Sequence, residues 1–207
     1  MMEMPPGDSF KTIKLRSSGS FRDKGSRFIA EAWPVADQDQ INSILEETRK
    51  TYHDAKHHCY AYLLGREGLI WRANDDGEPS GTAGRPILGQ IRSFGVTNVL
   101  IVVTRYFGGT LLGVGGLINA YKTAAASALE KAEIIDHVIH EFYEIRYPYA
   151  AMNSVMKIIR EEDINQSEHT FDLECRIIIS FRASSRERII NRISRIEGLT
   201  YRLLSSG

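Results

Sequence analysis

The alternation of apolar and polar residues predicts a mixture of strands and helices in the first part of the chain. Residues 10–33 have the pattern of two strands, of which the second ends at Pro34. A helix follows, with Asp37 as its predicted N-cap and Gln40 in the capping-box position. Its buried stripe consists of residues at helical spacing: Ile41, Ile44, Leu45 and Thr48.

Five further elements follow before the composition of the chain changes. Residues 58–64 and 69–73 are predicted to be paired strands, and a helix that starts near Pro86 ends at Gly95. Residues 98–104 are almost all apolar and β-branched, which is typical of a strand covered on both faces. A glycine-rich stretch then leads into an alanine-rich helix that ends near Lys131.

A change of composition at about Ile135 predicts two domains, residues 1–135 and 136–207. The second has the order β-α-β-β-α-β, which is the ferredoxin-like pattern, so the predicted fold class is α+β. Ser184 and Glu187 are predicted to form a second capping box. The preceding strand should direct alternate side chains to one side: Phe171, Leu173, Cys175, Ile177, Ile179 and Phe181.

Composition narrows the possible functions. The 207 residues contain 26 basic and 26 acidic side chains, so a nucleic-acid contact would have to come from a local patch. Two distant cysteines, Cys59 and Cys175, form neither a disulfide framework nor a zinc-ligand spacing. The N-terminus lacks an apolar signal core, and the apolar runs are short. We expect a cytoplasmic protein with no metal, no cofactor and no membrane partner.

An acidic segment before the predicted Pro86 helix is the first candidate site. Three carboxylates and two hydroxyls within it could bind a cation or orient a polar ligand. Alternatively, the segment is a tight turn in which Asp76-Gly77 takes positive φ and a hydroxyl starts the helix. Both interpretations are open at this stage. The candidate ligand residues are Asp75, Asp76, Glu78, Ser80 and Thr82.

A glycine-rich segment after the buried strand is the second candidate site. Bare backbone N–H groups at the start of a helix can face an anion, and Arg105 would add a fixed cation. The alternative is that the glycines only permit close packing of strand and helix. Neither GxxxxGK[ST] nor GxGxxG is present. The candidate anion-binding residues are Arg105, Tyr106, Gly108, Gly109, Gly113, Gly115 and Gly116.

Two further sets of residues give less specific signals of a functional site. Arg188, Arg192 and Arg195 fall on one side of the last predicted helix, where they could contact RNA phosphates or form a solvated face. Cys59 follows His58, but neighbours on a strand point to opposite faces and no acid partner is evident. Buried packing is therefore favoured over nucleophilic catalysis, and no catalytic residue is assigned.

Two long motifs carry a resemblance to a known family. DDGEPSGTAGRPIL at 75–88 and RYFGGTLLGVGGLINAY at 105–121 strongly resemble the IMPACT/YigZ signatures, as do residues 24–28 and 58–62. The resemblance implies an N-terminal domain with a ribosomal protein S5 domain 2-like fold, related to a domain of elongation factor G. It implies a ferredoxin-like C-terminal domain and a link to translation, since eukaryotic relatives regulate translation. Asn119 departs from the arginine common in the family, which weakens a phosphate site.

The leading hypothesis is a non-catalytic binding or regulatory protein associated with translation. It would contact RNA, the ribosome or a translation factor through the glycine-rich segment and the acidic turn. One alternative is an enzyme on a small phosphorylated or carboxylated metabolite, although no nucleophile–base pair can be assembled. The other is a protein-interaction module that uses an exposed sheet face of the second domain.

Overall fold

A computed structural model describes residues 9–171 and 174–206 of the chain. Leu173, the side chain of Phe171 and the first eight residues lie outside the described part, so the inward direction expected for Phe171 and Leu173 stays a prediction. The chain divides into two compact units, residues 10–137 and residues from 138 onward. Both units combine strands and helices, so the α+β class is confirmed.

The first unit is built on a five-stranded sheet with the order β2-β3-β6-β4-β5, and β1 pairs with β7 in a separate two-stranded sheet. Strand β6 lies in the middle of the larger sheet, antiparallel to β3 and β4. The elements are β1 Ser9–Ile13, β2 Ser17–Asp23, β3 Ser26–Pro34, α1 Gln38–Thr51, β4 His57–Leu64, β5 Ile70–Asn74, α2 Gly84–Ser93, β6 Val99–Tyr106, α3 Gly113–Glu130 and β7 Ile134–Val138.

Strand β6 is covered on both faces, as its apolar sequence predicts. Ile101 and Val103 pack in a core with alanines of α3 and apolar residues of α2. Leu100 and Val102 face the opposite core, which includes Ile41 and Leu45 of α1. This double burial holds the end of β6 firmly beside the start of α3.

The start of α1 follows the predicted capping pattern. Asp37 Oδ1 accepts a 2.8 Å hydrogen bond from the backbone N–H of Gln40, and Gln40 Oε1 accepts one of 3.0 Å from the N–H of Ala36. These bonds satisfy N–H groups that a helix start would otherwise leave without partners.

The expectation of two strands before Pro34 is wrong, because this region forms three. Strands β2 and β3 make a hairpin whose turn residues, Lys24 and Gly25, have φ values of 44° and 79°. Two positive φ values suit the twist of a two-residue hairpin. Strand β2 is rich in serine and lacks a regular apolar alternation, so periodicity does not reveal it.

The second unit has a four-stranded antiparallel sheet with the order β11-β8-β10-β9. Ile145, Ile177 and Ile179 point to the face that packs against the helices, together with Val155 and Ile189. Its elements are β8 His140–Tyr147, α4 Met152–Glu161, β9 Asn165–Phe171, β10 Cys175–Arg182, α5 Arg186–Ile193 and β11 Thr200–Ser206.

A 3₁₀ turn, Ala183–Ser185, precedes α5, and the N-cap of the helix is Ser185, whose side chain makes no capping hydrogen bond. The helix therefore starts one residue later than the sequence pattern indicates, and the capping box of Ser184 and Glu187 stays a prediction. Among the described residues, no helix is long and apolar enough to cross a membrane.

Candidate anion-binding groove

Asp75 in the acidic turn binds backbone rather than solvent. Its Oδ1 accepts hydrogen bonds of 2.9 Å and 2.8 Å from the N–H groups of Ala83 and Gly84, and its Oδ2 accepts one of 2.8 Å from Gly81. Burial acts to raise the pKa of Asp75, but these N–H groups bring that pKa below its ordinary value. Asp75 therefore caps the start of α2 from a distance.

Asp76 holds the turn against β4 and α1. Its Oδ2 accepts a 2.7 Å hydrogen bond from the backbone N–H of His58, and its Oδ1 lies 3.5 Å from Nη2 of Arg49. Asp76 and Gly77 have φ values of 42° and 85°, which the turn interpretation requires. Both aspartates thus have structural partners.

The hydroxyls expected to help start α2 do not cap it. Thr82 is buried, and its Oγ1 donates a 2.7 Å hydrogen bond to the carbonyl oxygen of Pro79. Ser80 is exposed. Among the described residues, no group of three His, Cys, Asp or Glu side chains is placed to hold a metal ion.

Glu78 lies in the interior and forms an ion pair with Arg105. Arg105 Nη1 donates a 2.6 Å hydrogen bond to Glu78 Oε1, and the hydroxyl of Tyr121 donates one of 2.7 Å to the same oxygen. The side chains of Arg105 and Glu78 are only 6% and 3% exposed. Tyr121, on α3, was not among the predicted site residues.

Cys59 extends this buried network. Its Sγ lies 3.0 Å from the carbonyl oxygen of Asp75 and 3.3 Å from the hydroxyl of Tyr121. Burial is the main cause that raises the pKa of the Cys59 thiol far above its ordinary value. A thiol that stays protonated is a weak nucleophile, in keeping with the packing interpretation.

Two of the glycines after β6 pack closely against other residues, whereas three have free space beside them. Gly108 packs on the β2–β3 hairpin, since a Cβ there would lie 1.9 Å from the carbonyl carbon of Gly25. Gly116 lies close to Leu112, with 3.0 Å between an added Cβ and the Leu112 Cβ. Gly109, Gly113 and Gly115 have open space around an added Cβ among the described atoms.

A groove of about 420 Å³ opens between the end of β6, the start of α3 and residues before β4. Leu112 is the N-cap of α3 and its side chain makes no capping hydrogen bond, so the first N–H groups of this 18-residue helix lack a side-chain cap. The groove is lined by Lys56, His57, Glu78, Pro79, Arg105, Phe107, Leu111, Leu112, Gly113, Val114 and Leu117.

The side chain of Arg105, which lines this groove, has one N–H donor without a hydrogen-bond partner among the described residues. Its Nε is buried and has no hydrogen-bond partner in the described part of the chain. Its guanidinium carbon lies 5.5 Å from the ring centres of both Phe28 and Phe107. Glu78 neutralises Arg105, which leaves the exposed ammonium of Lys56 as a further positive charge lining the groove.

Sequence reasoning missed several groove residues. Lys56 precedes β4 as an isolated lysine, and no local pattern marks it. Phe107, Leu111 and Val114 lie within the glycine-rich motif but were not assigned a role; they are 51%, 81% and 59% exposed. Large apolar side chains between glycines, where no helix or strand period explains them, were the available signal.

The remaining predicted residues lie elsewhere or have partners. Tyr106 donates a 2.8 Å hydrogen bond to Asp54, and this bond is the main cause of its raised pKa. Arg192 contacts both Glu161 and Glu162, and Arg188 Nε lies 2.9 Å from Glu162.

In the predicted patch of Arg188, Arg192 and Arg195, the carboxylates of Glu161 and Glu162 pair with two of the three cations, which makes a phosphate contact there less favourable. The side chain of Arg195 is exposed and makes no ion pair or hydrogen bond with another described residue, although its backbone N–H donates to the carbonyl oxygen of Arg192.

Comparisons with known proteins give the family. A model of the Impact N-terminal domain matches residues 24–129. The chain is 32% identical over 166 residues to IMPACT family member YvyE of Bacillus subtilis (strain 168), covering 78% of this chain and 76% of the relative. It is 40% identical over 110 residues to IMPACT family member YigZ of Escherichia coli (strain K12), covering 52% and 54%.

The similarity extends to a eukaryotic relative and to a solved structure. Protein IMPACT of Rattus norvegicus is 31% identical over 133 residues, covering 55% of this chain and 41% of the relative. A crystal structure described as that of a hypothetical protein has a TM-score of 0.69 and 25% identity, covering 96% of this chain and 98% of the other.

Apart from Lys56 and His57, the residues that line the groove come from the two segments that carry the motifs, and the family match extends beyond these segments. The chain is thus a two-unit α+β protein with its motif residues gathered in the first unit. It belongs to the IMPACT family. Membership supports a general role in translational regulation.

Proposed function

We propose that the chain is a non-catalytic, translation-associated binding protein whose groove receives a phosphate group of RNA, including ribosomal RNA. The observation that carries this proposal is the start of α3, which lacks a side-chain cap and opens onto a groove beside Lys56 and Arg105. N–H groups at a helix start and the ammonium of Lys56 together favour a bound anion, while Arg105, whose charge Glu78 neutralises, offers its unpaired Nε–H as a donor.

The apolar residues of the groove fit the same ligand. Phe107 is half exposed next to the Arg105 guanidinium, and an aromatic ring of this kind can stack on an unpaired base. Lys56 would pair with the phosphate as a point charge. Such a contact depends on salt, because phosphate binding releases counterions.

The structure does not favour the enzyme hypothesis. An acid–base role for the acidic turn needs carboxylates that are free to exchange protons with a substrate. Asp75 accepts three backbone hydrogen bonds, and Glu78 accepts bonds from Arg105 and Tyr121. Binding therefore remains the better proposal for this groove.

We also infer that residues 1–135 and 136–207 are separate domains, the first with a ribosomal protein S5 domain 2-like fold and the second ferredoxin-like. The division of the chain near residue 137 supports two domains. The sheet order β11-β8-β10-β9, with two helices on one face, supports the ferredoxin-like assignment.

Binding of the full chain to purified ribosomes and to structured RNA, measured across a salt series, tests the functional proposal. We expect Lys56→Gln to weaken binding and to reduce the slope of log K against log salt by about 0.7–0.9. Lys50→Gln is the matched control, because Lys50 is an exposed lysine on α1 that pairs with Glu46. Absence of salt-dependent binding, or equal losses in both variants, would contradict the proposal. Binding to an isolated translation factor without binding to RNA would also contradict the proposal.

A further inference from the structure

The sheet of the second unit has an open face that carries an arginine cluster. Strands β8, β10 and β11 each direct one arginine to the face opposite the helices, around the carboxylate of Glu144 on β8. Arg146 Nη2 lies 3.0 Å from Glu144 Oε1, Arg176 Nε lies 2.6 Å from Oε2, and Arg202 Nη2 lies 3.6 Å from Oε1.

The pairing register places these residues side by side. Arg202 lies opposite Glu144 across β11 and β8, and Arg176 lies opposite Arg146 across β10 and β8. Their neighbours on β8, Tyr143 and Ile145, point to the buried core on the other face. The cluster is therefore a property of the sheet and not of a loop.

The cluster contains three guanidinium groups and two carboxylates, because Glu168 Oε2 on β9 lies 3.9 Å from Arg176 Nη2, so it keeps an excess of one positive charge. The side chains of Arg146, Arg176 and Arg202 are 49%, 40% and 70% exposed, while that of Glu144 is 6% exposed. Glu168 pairs with Arg176 from the β9 side, so the excess charge lies mainly over β8 and β11.

Hydrogen bonds from Arg176 and Arg146 are the main causes that hold the pKa of Glu144 below its ordinary value. Its carboxylate fixes the guanidinium groups without covering them. Their remaining N–H groups can bind an external phosphate, since guanidinium offers five donors.

The same face offers an aromatic ring. Phe142 precedes Glu144 by two residues on β8, so it points to the open face, and it is 38% exposed. Ser180, its partner on β10, has a small side chain. An aromatic ring for stacking beside arginines for phosphates is the combination that single-stranded RNA uses on an open sheet.

We propose that the open face of the second unit, formed by Phe142, Arg146, Arg176 and Arg202 around Glu144, binds single-stranded RNA. The excess of arginine favours a polyanion over a protein partner. Arg188 and Arg192 of α5 are less suited to this role, because both are paired with Glu162, the residue directly after α4. This site lies in a different unit from the groove and does not depend on the function proposed for it.

Fluorescence anisotropy with a labelled single-stranded oligouridine and the full chain tests this proposal. We expect Phe142→Leu to weaken binding about tenfold through loss of stacking. Arg202→Gln should reduce the magnitude of the salt slope by about 0.7, the value for one phosphate contact on a single strand.

Arg188→Gln is the matched control, because it removes the same charge from an exposed arginine on the helix side, and it should leave oligouridine binding unchanged. Unaltered circular dichroism and melting temperature would show that each variant folds. Lys56→Gln, in the groove, separates the two sites: a loss with Lys56→Gln alone overturns the sheet site but leaves the groove proposal standing. Equal losses of oligouridine binding in Arg202→Gln and Arg188→Gln would overturn the proposal of a sheet site. Self-association of the chain, measured by sedimentation and abolished by Phe142→Leu, would overturn it as well.

Discussion

Arg105 Nη1 and Glu78 Oε1 are 2.6 Å apart, and this buried pair forms part of the lining of the groove in the first unit. The same carboxylate oxygen accepts the hydroxyl of Tyr121 at 2.7 Å. The pair thereby connects the acidic turn, the end of β6 and helix α3. A buried charge pair is costly to form, but it is still costlier to break by removing one partner.

Glu78→Ala should destabilise the protein by about 3–5 kcal/mol, because it leaves the Arg105 guanidinium buried without a counter-charge. Urea unfolding followed by circular dichroism measures the change. The double variant Glu78→Leu/Arg105→Met should lose less than either single variant, since no unpaired charge remains. Additive losses in the double variant would show that the two side chains are not coupled.

Asp75→Asn should reduce the free energy of unfolding by about 1–2 kcal/mol at neutral pH. Asparagine keeps one acceptor oxygen, but its NH₂ group would face the backbone N–H of Gly81, from which Asp75 Oδ2 accepts a hydrogen bond in the wild type. Because the folded pKa of Asp75 lies below its ordinary value of 3.8, its contribution is present above pH 4 and disappears as the pH falls through the folded pKa.

Unfolding measured from pH 7 down to pH 2 checks this account of Asp75. The wild type should lose stability on acidification more steeply than Asp75→Asn, so the two curves should converge at low pH. Asp39→Asn is the control, as Asp39 is exposed on α1 and its carboxylate makes no hydrogen bond to a described residue. Parallel curves for wild type and Asp75→Asn would contradict the capping role.

Local signals in the sequence predict much of the fold. Asp37 with Gln40 and the apolar run of β6 lead to the correct elements, because a helix cap and a two-sided strand depend on nearby residues. Strand β2 has no comparable local signal, since its stability comes from pairing with β3 and from the close approach of Gly19 to the backbone at Ala128. Tertiary contacts of this kind leave no period in the sequence.

The candidate site was predictable as two segments but not as an arrangement. Asp75, Asp76 and Glu78 look equivalent in the sequence, yet one caps α2, one holds β4 and one is buried with Arg105. The partner of Glu78 on α3, Tyr121, is 43 residues away. The direction in which each carboxylate points is set by the turn geometry and by packing, which residue type alone does not encode.

The glycines of the motif should respond oppositely to alanine. Gly108→Ala should destabilise strongly, because its Cβ would overlap the backbone of Gly25. Gly115 lies in helix α3 with open space around an added Cβ, so Gly115→Ala should stabilise the protein by about 0.5–1 kcal/mol. Thermal unfolding of both variants measures the difference, and equal destabilisation would show that the region around Gly115 is also packed.

Asn119→Arg should strengthen RNA binding in the groove. Asn119 is exposed on α3, six residues after the helix start at Gly113 and outside the groove lining, so an arginine there would contact a phosphate of RNA that extends beyond the groove. One additional phosphate contact should steepen the slope of log K against log salt by about 0.7–0.9. Asn42→Arg adds the same charge to an exposed position of α1, away from the residues that line the groove, and serves as the control. Anisotropy measurements with structured RNA should show tighter binding for Asn119→Arg than for Asn42→Arg. Equal gains would mean that net charge, rather than the position of the cation at α3, governs the affinity.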